Sequence, residues 1–233
     1  MQACLFLFGE RDAAALFDMS ALQEDAARID GLRRLIVHEP VVDEADPRIA
    51  QKQDAPSYVL QWYFEELAPL EAALEADGAI HRVLYSAAHE ALSASSFTQQ
   101  IMAVRTLAPP HAAPNREHIK RCTYLVAYEG PADDFNTWLA HYLRHHPPLM
   151  LQLPALRELE IYTHIDSTSG LPFGQALAMQ RNKVVFDDFS ALADALASPV
   201  RDAMRRDFHA LPPHGGATPH FAMRSTYVNL ATY

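Results

Sequence analysis

The chain has 233 residues, with 29 acidic against 19 basic side chains, so its net charge of -10 would repel a nucleic-acid backbone or an anionic bilayer. Hydrophobic residues make up 49% and charged residues 21%, the balance of a soluble globular protein with room for two domains of about 115 residues each. No run of 18 apolar residues occurs, and Met1 to Phe8 lacks the basic flank and the length of a signal peptide, so a cytoplasmic location is the expectation.

The first strand is expected over Cys4 to Phe8, a short run of branched and aromatic residues. Helical spacing of Leu16, Met19, Leu22 and Ala26 follows, predicting a helix from Asp12 to Arg28. Strands over Leu32 to His38 and Tyr58 to Phe64 come next, then a helix from about Glu66 and a strand over Phe97 to Leu107. Prolines in Leu107-Ala108-Pro109-Pro110-His111-Ala112-Ala113-Pro114-Asn115 forbid a continuing helix or central strand and mark a connector.

Beyond it the same order returns: strand Thr123 to Tyr128, helix Asp133 to His145, strands Leu156 to His164 and Lys183 to Phe186, a helix from Asp188, strand His220 to Val228. Asp187, Asp188 and Ser190 offer N-cap oxygens to that last helix, and capping explains the recurring acidic pairs Glu65-Glu66 and Asp187-Asp188 better than catalysis does. Leu5 matches Leu125, Gly31-Leu32-Arg33 matches Ala155-Leu156-Arg157, Phe64 matches Phe186 and Arg105 matches Arg224, a shift that stays between 119 and 124. Such units are too long for a solenoid repeat, so two homologous domains are expected. Their limits are 1–108 and 119–233, with a Pro-rich linker at 109–118. Leu211-Pro212-Pro213-His214-Gly215-Gly216 reads either as a mobile flap or as a long loop.

Strand-helix-strand-strand-helix-strand is the ferredoxin-like βαββαβ unit, an antiparallel sheet with helices on one face, so the fold class is α+β. The strands are too apolar for the second face to be solvated. Two copies facing each other would bury both faces in an intramolecular α/β barrel, an internal pseudo-dimer with a pocket between the sheets. Cys4 and Cys122 open the first strand of each copy and read as reduced core thiols.

The second copy carries Trp138-x3-Tyr142-x3-His146-x-Pro148-Leu149-x3-Leu153-Pro154-x-Leu156. This pattern resembles the signature of the EthD-like family of the dimeric α/β barrel superfamily, in which an aromatic residue precedes a His-Ala-Pro-Leu box and a Leu-Pro-Gly-Leu box. Here the boxes are His146-Pro147-Pro148-Leu149 and Leu153-Pro154-Ala155-Leu156, with Ala155 in place of glycine. The resemblance covers most of residues 121 to 228, with the histidine box specific and the rest a match of pattern. In the first copy Leu22 falls where the histidine would be, so that copy resembles a degenerate partner.

Residues before proline avoid the helical region, so the helix from Asp133 is expected to end or kink at His146. There a neutral imidazole would serve as general acid and base, or would only bond a freed helix carbonyl. Tyr124 and Tyr128 share one strand face, Tyr162 and His164 another, and Arg224 lies on the last strand. With Trp138 and Tyr142 they are the candidate substrate-binding residues, although core packing is the alternative for the tyrosines. Period two leaves open which face looks into the barrel.

His141 and His145 stand four apart on a helix, but spacing marks no third ligand, so no metal is expected. Phosphate-loop, Gly-x-Ser-x-Gly and Cys-x-x-Cys motifs are absent. What the resemblance implies is a cofactor-free enzyme that moves a proton on a small hydrophobic oxygenated molecule: an isomerase, dehydratase or cyclase with His146 as its catalytic residue. The alternatives are a cofactor-independent monooxygenase, as found in the superfamily, and a non-catalytic ligand-binding or accessory protein. Haem bound by a histidine is a further reading that the superfamily supplies, and a further homodimer is left open.

Overall fold

The computed structural model describes residues 1–10, 17–42, 55–110, 120–228 and 230. The first repeat contributes strands β1 (Ala3–Glu10), β2 (Leu32–Pro40), β3 (Tyr58–Phe64) and β4 (Ser96–Leu107), with helices α1 (Met19–Ala26), α2 (Leu67–Ala73), α3 (Ala79–Leu84) and α4 (Glu90–Ser93). The second contributes β5 (Lys120–Tyr128), α5 (Phe135–Met150), β6 (Glu158–His164), the short β7 (Gly174–Gln175), β8 (Gln180–Phe186), α6 (Phe189–Ala197), α7 (Val200–His209) and β9 (His220–Val228).

Within each repeat the strands lie in the order fourth, first, third, second, all antiparallel: β4-β1-β3-β2 and β9-β5-β8-β6. The two sheets join at both edges. Ile36 of β2 lies opposite Tyr227 of β9, and Val104 of β4 opposite Tyr162 of β6, so the second strand of each repeat pairs with the fourth of the other. Eight antiparallel strands thereby close into a barrel, and no sheet edge of the eight remains open. The expected α+β barrel of two ferredoxin-like repeats is the fold observed. Most of the connector expected at 109–118 lies outside the described residues, as do residues 12–16 of the first predicted helix.

Alternation along each strand sends one set of side chains to the helices and the other into the barrel. Outward on the first sheet, Leu5, Leu7, Leu35, Leu60, Trp62 and Phe64 pack against Leu22 of α1, Leu70 of α2 and Ile80 of α3. Outward on the second, Tyr124, Val126, Tyr128, Ile161, Val184 and Phe186 pack against Trp138 and Tyr142 of α5 and Leu192 of α6. Inward, Cys4, Phe6, Ile36, Val59, Tyr63, Met102, Leu125, Tyr162 and Met223 fill the centre. Cys4 and Cys122 are both buried and neither is in a disulfide, the core placement expected of them.

Three expectations need correction. The inner faces are buried but not uniformly apolar: His38, Gln61, Gln100, Thr123, Glu160, Lys183 and Ser225 are buried in the strands. Helix α5 does not stop at His146 but runs through Pro147 and Pro148 to Met150. Pro147 O accepts the Leu151 amide at 2.9 Å, so helical bonding continues beyond the prolines, whose missing N–H groups fall only on the carbonyls four residues earlier, near the end of the helix. Each second helix is broken into pieces. Asp77, with φ of 70°, and Gly78 separate α2 from α3, while extended Ser198 before Pro199 separates α6 from α7. The loop around 211–216 is tied down: Pro213 O accepts the Asp133 amide and Pro131 O the Gly215 amide, at 3.2 and 2.8 Å.

Marks of duplication persist in detail. Gly31 and its match Ala155 both adopt positive φ, 76° and 57°. A Cβ at Gly31 would sit 2.7 Å from Pro69 Cβ, which keeps that position glycine. Arg33 pairs with Glu65 at 2.9 Å, and at the matching place Arg157 bonds Asp187 through Nε at 2.9 Å. Asp188 rather than Asp187 caps α6, its Oδ1 accepting the Ala191 amide at 2.9 Å. Among the described residues no helix is long and apolar enough to cross a membrane.

The sheets are bonded across the barrel by a buried ionic network. Glu160 on β6 accepts from Arg34 Nη2 of the other repeat at 2.6 Å, from Tyr63 at 2.8 Å, from Lys183 at 2.9 Å and from Tyr162. Lys183, fully buried, also reaches Glu158 at 3.0 Å and Tyr63 at 3.1 Å. Gln61 links Tyr162 to His38, which is bound to Ser225 and through it to Thr123. Lys183 and Arg34 hold the Glu160 carboxyl well below its usual range against burial.

Removing one partner of such a buried pair strands the other charge. Glu160→Gln is expected to lower unfolding free energy in urea by about 3 kcal/mol or more, and Glu160→Met with Lys183→Met to recover part of it. A loss under about 1 kcal/mol in the single variant would show that the network does not hold the barrel.

Burial also pushes the His38 imidazole from its ordinary 6.5 down to about 3. The unfolded ring takes up a proton below pH 6.5 and the folded ring does not, so this contribution is constant above 6.5 and stability falls as pH drops below it. Between pH 7 and pH 5, His38→Gln should lose about 2 kcal/mol less than the parent. Equal losses in both proteins would refute a neutral buried His38.

Candidate active site

The second repeat encloses a cavity of about 220 Å³ between its sheet and its helices, lined by Tyr124, Tyr128, His146, Arg201, Phe208 and His220 among others. It therefore lies on the helix side of the sheet and not between the two sheets, as the sequence had suggested. The barrel centre beside it is filled by the side chains described above. Strand alternation settles the open question about faces: Tyr124 and Tyr128 look towards the helices, whereas Tyr162 looks into the barrel and bonds Glu160 and Tyr63.

His146 reaches the cavity from the end of a ring ladder. Spacing of four along α5 puts Trp138, Tyr142 and His146 on one face. Trp138 and Tyr142 stack with centroids 5.1 Å apart, and Tyr142 lies 5.1 Å from the imidazole. Both aromatic rings are fully buried, and the Tyr142 hydroxyl donates to Asn182 Oδ1 at 3.0 Å. They support the histidine and do not line the cavity.

Asp207 of α7 orients the imidazole, with Nδ1 2.7 Å from its Oδ2. His141 Nε2 lies 3.9 Å from the other carboxylate oxygen. With Nδ1 committed, Nε2 is the nitrogen left for a molecule in the cavity. Burial pulls the His146 pKa below its ordinary value, and Asp207 opposes that shift. The result is a neutral base at pH 7 whose protonated form has a carboxylate beside it.

Arg201, also of α7, lines this space, and its Nη1 is buried without a hydrogen-bond partner among the described residues. A buried unpaired guanidinium N–H is costly unless a ligand meets it. Burial pushes the Tyr124 hydroxyl up to about 12, with Arg201 pulling the other way, and likewise raises Tyr128 well above its ordinary value, so both stay protonated as donors. Met204, Leu153 and Leu196 make the remaining wall apolar.

Of the residues expected from sequence, His146, Tyr124 and Tyr128 meet at this cavity. Trp138 and Tyr142 lie behind it, and Tyr162 is on the opposite face of the sheet. His164 and Arg224 are exposed on their strands and do not line it. Sequence reasoning missed Asp207, Arg201 and His220. The charged positions of α7 follow an amphipathic pattern that reads as a solvated face, and only packing of α7 on α5 turns Asp207 inward.

No group of three His, Cys, Asp or Glu side chains among the described residues could hold a metal ion. For haem, a carboxylate-bound histidine is suitable donor chemistry. The volume is not: about 220 Å³ falls below the roughly 300–1,000 Å³ of drug-sized pockets, too small for a tetrapyrrole.

Two ferredoxin-like repeats closed into one barrel define the class: the chain has the dimeric α/β barrel fold within a single polypeptide. An anthrone oxidase-like protein superposes with a TM-score of 0.56 at 16% identity, over 97% of this chain and 93% of its own. A candidate monooxygenase from Fusobacterium nucleatum subsp. nucleatum ATCC 25586 gives a TM-score of 0.57 at 5% identity, over 98% and 92%. An ethyl tert-butyl ether degradation (EthD) family protein from Bacillus halodurans C-125 aligns at 22% identity over 44% of this chain and 95% of its own, with a TM-score of 0.37. No family model matches the chain, and no curated protein matches it in sequence.

Because Asp207 raises the His146 pKa against burial, Asp207→Asn should lower it further. NMR titration of the imidazole resonances checks this, and an unchanged or higher value in the variant would dismiss the pairing.

Proposed function

We propose that this chain is a small-molecule enzyme that takes a proton from a compact, largely apolar, oxygenated substrate, with His146 as acid and base. The observation that carries the reading is the meeting of a buried, Asp207-bound imidazole with Arg201 and Tyr124 on one largely apolar cavity. In this reading Nε2 of neutral His146 accepts the proton from a carbon or hydroxyl made acidic by a neighbouring carbonyl or ring. Charge then develops on substrate oxygen, where Arg201 Nη1 and the Tyr124 hydroxyl can donate to it. Asp207 stabilises the imidazolium that forms, and the apolar walls keep water from competing.

Return of the proton at another atom gives isomerisation, loss of water gives dehydration, and attack of the anion on an internal carbonyl gives cyclisation. A second reading uses the same first step. The deprotonated substrate is electron-rich enough to react with dioxygen, and the fold likeness to an anthrone oxidase-like protein and to a candidate monooxygenase favours including it. Proton abstraction is the element both share.

Anthrone and α,β-unsaturated lactones are suitable probes because their acidic carbons can be followed by NMR as deuterium enters from D2O. Under argon the protein is expected to accelerate that exchange, and His146→Ala to slow it by about 100-fold or more while probe binding persists. Undiminished exchange in the variant would remove His146 from the chemistry. Binding without exchange in the parent would instead identify a ligand-binding protein. Oxygen uptake with anthrone in air, lost in His146→Ala, would select the oxygenase branch.

A further inference from the structure

At the barrel end where β1 finishes and β8 begins, the packed interior opens into a basin of about 760 Å³. Phe8, Pro56, Leu177, Met179, Pro219 and Phe221 make its walls apolar, and Arg181 of β8 enters it. The Arg181 head is held in place without being neutralised. Its Nε donates to Gln100 Oε1 at 2.9 Å, and Gln100 is itself fixed by donating to Ala178 O at 2.7 Å. The guanidinium carbon lies 4.3 Å from the centroid of Phe8 and 5.7 Å from that of Phe6, cation–π contacts that orient the plane.

No carboxylate among the described residues forms an ion pair with Arg181. Glu129 acts on it only from a distance, and its Oε2 accepts the Ala217 amide at 3.0 Å. Burial accordingly pulls the guanidinium down to about 9, the behaviour of a desolvated cation lacking a counter-ion. With Nε bound, the two Nη groups remain as a planar fork, the geometry that pairs bidentately with a carboxylate.

We propose that this basin is a second ligand site, separate from the His146 cavity, for a monoanionic aromatic carboxylate that seats on the Arg181 fork with its ring against Phe8 and Phe221. The rim carboxylates Glu10 and Glu129 repel a second negative charge and so select a monoanion over a dianion. The two sites occupy opposite faces of one sheet. Tyr124 and Tyr128 face the helices, while Arg181 reaches into the barrel to Gln100 and Phe6, so occupancy of each can be read separately.

The test is titration of 2-naphthoate into the full chain, followed by ligand fluorescence and by amide chemical shifts. A dissociation constant of about 1 mM or below is expected, with perturbed amides at Phe8, Ala127, Met179 and Phe221. Neutral 2-naphthamide, and 2-naphthoate with Arg181→Gln, should each bind at least about tenfold more weakly, whereas Arg201→Gln should leave the affinity unchanged. No saturable binding up to about 10 mM, equal binding of the amide, or shifts centred on Tyr124 and Phe208 would each overturn the proposal. Because the shift map and the amide comparison use the parent protein, they decide the matter even if Arg181→Gln fails to fold.

Discussion

Everything in this molecule depends on closing two sheets around charges that cannot face water. Glu160 belongs to the second repeat, and its carboxylate is met by Arg34 and Tyr63 of the first and by Lys183 of its own. In a low-dielectric interior each of these groups would be costly alone, so the network is stable only when both repeats are docked in register. A one-residue slip of β6 against β4 would point Glu160 at the helices and Ile161 into the barrel. The ionic cluster therefore specifies the pairing of the repeats, while burial of the apolar residues around it supplies most of the stabilisation.

Because the interior is filled by this network, space for ligands is left on the outer face of a sheet and at the barrel mouth. On the outer face of the second repeat, helix α5 carries His146 over the sheet. Helix α7 then brings Asp207 and Arg201 across from the opposite wall. His146 and the carboxylate that orients it thus come from two helices packed on one another and on the sheet.

The repeats have diverged in a physically readable way. Leu22, which stands where His146 would be, is buried in the apolar core of the first repeat among Trp62, Tyr58 and their neighbours. At this position the first repeat packs a leucine, and the second places a histidine beside a cavity. Shared features survive where backbone geometry demands them, as at Gly31 and Ala155 with their positive φ, and where the same ion pair closes the same corner, as at Arg33–Glu65 and Arg157–Asp187.

Sequence by itself determined the duplication, the strand and helix order and the barrel, because hydrophobic period and the recurrence of short motifs are local properties that survive in one dimension. It also singled out His146, since a histidine before paired prolines within an aromatic stripe of period four is visible without coordinates. It did not determine that α5 would continue through those prolines, because a residue before proline ordinarily avoids the helical region and only the assembled packing holds it there. Which face of each strand meets the helices was decided only in three dimensions: a period of two has no sign, and Tyr124 and Tyr162 look alike until the two sheets close. The partners of His146 were equally hidden. Asp207 and Arg201 lie some 60 residues further along on a helix whose composition reads as solvated, and only the packing of α7 against α5 desolvates them. Chemistry that depends on desolvation and on contacts between distant segments is written in the tertiary structure, because burial is a property of the assembled fold and not of any residue within it.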